Sequence, residues 1–126
     1  MENGITPLLF KDAGEWRAWL ASNHNVAKEA WVIHQKAKSL SPGLRYDEAL
    51  NEALAYGWID GMMRTLDKEQ IIQRYTPRRK GSNWSEPNKA RVAKLILASK
   101  MAEPGSAAVE EAQQSGKWGK NRSARS

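Results

Sequence analysis

The runs Trp58-Ile-Asp-Gly-Met-Met-Arg-Thr-Leu66 and Gln70-Ile-Ile-Gln-Arg-Tyr-Thr76, separated only by Asp67-Lys68-Glu69, decide the fold. Both are rich in β-branched and aromatic residues, and a three-residue polar connection between two such runs predicts an antiparallel hairpin. Upstream, Tyr46 to Gly57 opens with acids and places Ala49, Leu50, Ala53 and Leu54 on one stripe. That pattern predicts a helix, with Gly57 placed to end it in the left-handed conformation.

Further out, Glu29-Ala-Trp-Val-Ile-His-Gln35 predicts a third strand, with Trp31, Ile33 and Gln35 on one face and Val32 and His34 on the other. Asp12 and Glu15 read as a helix cap and its reciprocal partner, opening a helix to about Ser22 that buries Trp16, Trp19 and Leu20. Leu8-Leu-Phe10 before it suits a short strand or a hydrophobic staple. Downstream, Ser85 begins a helix to about Lys100, with Val92, Leu95, Ile96 and Ser99 inward. Pro104-Gly105 reads as a break, and Ser106 to Ser115 as a last helix. The expected architecture is α+β: a small three-stranded antiparallel sheet carrying about four helices. Residues 1–118 read as one domain and 119–126 as a basic, disordered tail.

A chain of 126 residues suits one core, and 40% hydrophobic with 27% charged residues is a globular balance. Six tryptophans stand against one phenylalanine, which predicts a core with polar edges where indole N–H groups find acceptors. The absence of cysteine excludes disulfides, thiolate metal sites and cysteine nucleophiles. The first residues lack a secretory pattern, and no run approaches a membrane span, so a cytoplasmic location is expected.

Charge is uneven. From Arg74 to Lys94 there are seven cations and one acid, Glu86, within a formal net charge of +6. In Tyr75-Thr-Pro-Arg-Arg-Lys-Gly-Ser-Asn-Trp-Ser85, Pro77 ends a strand, Gly81 permits a turn, Trp84 pins the loop and Ser85 starts a helix. Cations beside a helix start suit phosphate or carboxylate, and Arg78, Arg79, Lys80, Ser82 and Ser85 are the candidate anion ligands. The structural alternative is that two of these cations bridge to Glu48, Glu52 or helix-end carbonyls. Trp58, Asp60, Arg64, Arg74, Trp84 and Asn88 are candidate supporting residues. Strand alternation puts Asp60 and Arg64 on one side; with Arg74 beside them the carboxylate would be an ion-pair anchor rather than a general acid.

His24 and His34 have no acid at a metal-ligand spacing, so neither metal nor cofactor is expected. Ser82, His34 and Asp60 can be written as a triad, but no nucleophile elbow surrounds the serine.

Trp16-x-x-Trp-Leu20, Trp31, Tyr46-x-Glu-Ala49, Tyr56-Gly-Trp-Ile-Asp-Gly61, the Tyr75–Ser85 run, Asn88 and Gly116-Lys-Trp118 together resemble the bacterial YdeI/OmpD-associated, bacteriocin-protection family. That resemblance spans Trp16 to Trp118 and implies a stress or bacteriocin-tolerance role without an assigned reaction. Arg45 stands where the pattern has a small hydroxyl cap, and the helical C-terminal region of the family is not matched. The combined expectation is a non-catalytic protein binding an anionic small molecule or an acidic protein surface through the basic loop, nucleic acid being a weaker partner. The competing expectation is a small enzyme that holds a phosphorylated or carboxylated substrate there while Asp60 or His34 moves a proton. Because the C-terminal region is not matched, the last helix is expected to leave an apolar surface and favour self-association.

Overall fold

The computed structural model describes residues 5–118. The elements run β1 (Pro7–Leu8), α1 (Ala13–Asn23), β2 (Ala30–Gln35), α2 (Tyr46–Ala55), β3 (Trp58–Thr65), β4 (Gln70–Pro77), α3 (Glu86–Leu97) and α4 (Glu103–Gln114). The fold is α+β. The sheet has four strands in the order β1-β2-β4-β3. Its β4 pairs antiparallel with both β2 and β3 as expected, whereas β1 adds two residues in parallel to β2, pairing Pro7 with Trp31 and Leu8 with Val32. The three-strand expectation is thereby corrected to a mixed sheet; two residues are too few for a period to show in sequence.

The β3–β4 hairpin closes as its sequence predicts. Asp67 Oδ1 accepts from the N–H groups of Glu69 and Gln70, and Leu66 N–H donates to the Gln70 carbonyl. One irregularity reorganises its faces. Asp60 pairs with Tyr75 but Met63 pairs with Gln73, so β3 carries one extra residue between them. This bulge reverses the alternation: Asp60 shares a face with Tyr75, and Arg64, opposite Ile72, lies on the other. The buried Gln73 side chain holds the bulge by donating to the Gly61 carbonyl at 2.6 Å.

All four helices contribute to one core on the Tyr75 face, where Trp16, Leu20, Val32, Leu54, Trp58, Val92 and Val109 are buried together. The opposite face carries a second cluster of Ile5, Trp31 and Ile72. Trp16, Trp31, Trp58 and Trp84 are buried, while Trp19 and Trp118 are half-buried. The predicted indole partner exists for Trp16, whose N–H donates to the Ala49 carbonyl at 2.9 Å. Asp12 caps α1 through Glu15 N–H, but the Glu15 carboxylate accepts from Lys11 N–H rather than from the cap residue. Arg45, at the start of α2, sends its guanidinium to the carbonyls of Ser39, Ser41 and Gly43 and so ties down the preceding loop.

Pro104-Gly105 is not a break. Pro104 occupies the first turn of α4, where its missing N–H is not needed, so the helix begins three residues before the predicted Ser106. Gly105 is buried against α2, and a Cβ there would collide with the Ala55 carbonyl oxygen. Nor does α4 leave an apolar surface: Val109 and Ala112 are buried, and the exposed large apolar side chains lie elsewhere, at Ile96, Leu97, Met62 and Met63 among others. The expected tail over 119–126 lies outside the described residues.

Candidate functional site

The loop between β4 and α3 is built as its composition dictates. Pro77 closes the strand, Gly81 adopts φ 78°, and Ser85 caps α3 by accepting from Asn88 N–H at 3.2 Å. Trp84 is buried and packs against Trp118, the two rings tilted by 56° with 4.9 Å between centroids. This frame gives the three cations different surroundings.

Arg78 is held by the loop itself. Its guanidinium lies 3.8 Å from the Trp84 ring centroid and donates to Ser82 Oγ and the Asn83 carbonyl. Burial makes its charged form less favourable than in water, with partial compensation from the Asp60 carboxylate nearby. Arg79 and Lys80 are exposed, and their side chains make no hydrogen bond or ion pair among the described residues. The bridges considered from sequence do not form: Glu52 pairs with Arg17, and Glu48 accepts from Arg45 N–H. Elsewhere on the basic stretch, Lys89 pairs with Glu86 and Arg91 with Asp47.

The loop stands as a ridge between two clefts. One, of about 460 Å³, brings Arg78, Arg79, Ser82, Ser85, Asp60 and Asn88 together, with Ile59, Thr76, Pro77 and Asn83. The other, of about 310 Å³, takes Lys80, Trp58 and Trp84 against Pro104, Ala107 and Ala108 of α4. Arg79 lines both. Arg64 and Arg74 are not part of either. Because of the bulge Arg64 sits over the Trp31 ring at 5.6 Å, and Arg74, on that same face, pairs with Glu29 at 2.8 Å. Asp60 is therefore not flanked by those two cations.

Asp60 instead accepts a 2.7 Å hydrogen bond from the Tyr46 hydroxyl. Burial, and then this bond, push the Tyr46 phenol up to about 12, so it stays a donor through neutral pH. Sequence reading omits Tyr46 because the contact joins α2 to β3 across fourteen positions and no local spacing announces it. The neighbouring Tyr75 hydroxyl shares a 2.9 Å hydrogen bond with His34 Nε2, and its own titration is displaced upward by burial. His34 is fully buried, its Nδ1 has no partner, and desolvation lowers its pKa to about 4. No Asp60–His34 bond exists, so the Ser82-His34-Asp60 triad is not assembled.

The helix start adds less to an anion than its position suggests. Pro87 has no N–H, Asn88 N–H is taken by Ser85, and Glu86 brings its own carboxylate into the first turn. What remains for a ligand is side-chain chemistry: the exposed Arg79 and Lys80, and, in the larger cleft, Thr76, Asn88 and Asp60. Among the described residues no three His, Asp or Glu side chains gather as metal ligands, and no helix is long and apolar enough to cross a membrane.

The fold and the site define a small α+β domain with a cationic ridge between two clefts. The chain belongs to the family described as Domain of unknown function (DUF8412), whose model matches residues 8–108. No curated protein and no solved structure matches it.

Proposed function

We propose that this protein is a non-catalytic binding module that captures an anionic group on the ridge formed by Arg78, Arg79 and Lys80. The observation that carries the proposal is that division of roles: Arg78 is fixed by Trp84, Ser82 and Asn83, while Arg79 and Lys80 stand exposed without partners among the described residues. A guanidinium held by neutral acceptors and a ring is fixed in place as part of the frame, whereas two adjacent exposed cations above that rigid base form an electrostatic anchor. Ser82 holds the base, and Ser85 and Asn88 line the cleft on the Asp60 side. The partner is an anionic small molecule or an acidic protein surface. Single-stranded nucleic acid is less suited, since Trp84 and Trp58 are buried and cannot stack bases. The proposed bacteriocin-tolerance and stress roles rest on the resemblance of the ordered motifs to those of the YdeI/OmpD-associated family, and the proposed cytoplasmic location on the sequence pattern of the first residues.

The second reading, a small enzyme, draws on one observation: the larger cleft joins the basic loop to the Asp60 carboxylate. His34 has no place in it, being enclosed and neutral above about pH 4. The test is titration of inorganic phosphate and of a short oligonucleotide into the wild type and an Arg79→Ala/Lys80→Ala variant at two salt concentrations. Binding that weakens as salt rises and disappears in the variant is expected. Equal binding by both proteins would place the anion elsewhere.

A further inference from the structure

Asp60 is an unexpected wall for an anion site. One carboxylate oxygen is taken by Tyr46, and the other has no hydrogen-bond partner among the described residues. Among the described residues no cation forms an ion pair with it, although it lines the same 460 Å³ cleft as Arg79, Thr76, Ser85 and Asn88. Arg78, the cation whose charge it supports, is turned to Ser82, Asn83 and the Trp84 ring. A ligand that was only an anion, filling this cleft, would meet the carboxylate as a like charge and leave its free oxygen unpaired. A ligand with a cationic donor a few atoms from its anionic end would satisfy both ends.

Resting on the anion-binding reading above, we infer that the cleft takes a small amphoteric ligand, its phosphate or carboxylate against Arg79 and its amine against Asp60. Asn88 and Thr76 line the same cleft and supply neutral hydrogen-bonding groups beside the two charged ones. Tyr46 sets the carboxylate by occupying one oxygen, which leaves the second for the ligand's N–H. The cleft volume accommodates a ligand of a few carbons and excludes a macromolecule from its interior.

The comparison that tests this uses matched pairs on the intact protein: phosphoethanolamine against ethyl phosphate, and β-alanine against propionate, each titrated by calorimetry or NMR. In at least one pair the amine should bind tighter by roughly tenfold, the value of a hydrogen bond to a charged group. Asp60→Asn should remove that preference while retaining the anion, and Arg79→Ala should weaken all four probes. If the simple anions bind with Arg79 dependence but the amines gain nothing in either pair, the amphoteric inference is overturned and the anion reading stands. If none of the four binds to the wild type, the anion reading itself fails and takes this inference with it. The wild-type comparison stands even where Asp60→Asn unfolds.

Discussion

At the residue scale, two adjacent arginines separate stability from binding. Arg78→Ala removes a stack on Trp84 and two hydrogen bonds, so it should lower stability by about 1–3 kcal/mol. Arg79→Ala removes an exposed, unpaired side chain and should change stability by no more than about 0.5 kcal/mol while weakening anion binding. Paired denaturant melts and phosphate titrations check this, and equal stability losses would contradict it. His34 sets a pH dependence whose sign follows from burial. Its folded pKa of about 4 lies below the ordinary 6.5, so the unfolded chain binds the proton first on acidification. The stabilisation is complete above about pH 6.5 and is lost as pH falls through 4, on the order of 3 kcal/mol in all. Denaturant melts across that window should show the decline for wild type and a shallower one for His34→Gln, which keeps a partner for Tyr75 without a titrating ring. Parallel slopes would mean that His34 is not the responsible group.

At the element scale, the hairpin, the antiparallel arrangement of β2 and the apolar stripes of α1 and α2 were legible because alternation and helical spacing report which face is buried. On α3 Val92 and Leu95 are buried as expected, but Ile96 and Ser99, expected inward, are exposed because only the first three turns of that helix pack on the core. Trp16 and Leu20, or Ala49 and Leu54, carry that signal without help from distant residues. Three features were hidden for physical reasons. The bulge after Asp60 is a one-residue slip fixed by Gln73 from the neighbouring strand, and it alone moved Arg64 to the opposite face from Asp60. Strand β1 is too short for a period. Gly105 resembles punctuation because glycine marks both a turn and a close approach; only the carbonyl of Ala55 beside it distinguishes them. Gly105→Ala should therefore lower stability by roughly 1–3 kcal/mol or more, since the obstruction is backbone and cannot swing aside. Ala107→Gly, on the exposed side of the same helix, serves as the control for helix propensity and should cost about 1 kcal/mol. A Gly105→Ala protein as stable as wild type would remove the α2–α4 close approach.

At the scale of the whole molecule, the helices cover one face of the sheet and α3 and α4 flank the basic loop, so the fold presents two exposed cations between two clefts. The sequence showed the loop, its cations and its pinning tryptophan; it did not show which cation was structural, because that depends on where Trp84, Ser82 and Asn83 come to rest. Nor did it show Tyr46 on Asp60, a contact between elements. Self-association was expected through the last helix; since α4 buries Val109 and Ala112, the prediction moves to the exposed Ile96 and Leu97 at the end of α3. Sedimentation of Leu97→Glu beside the wild type checks that: any concentration-dependent association should fall in the variant, and unchanged association would locate the contact elsewhere. The central claim is that an anion is held on the ridge of Arg79 and Lys80. Its most direct test is an amide chemical-shift map during titration of inorganic phosphate into the wild-type protein. The predicted result is a saturable set of shifts centred on residues 76–88, absent after Arg79→Ala/Lys80→Ala. Shifts confined to the Trp31 and Arg64 face, or none at all, would contradict it.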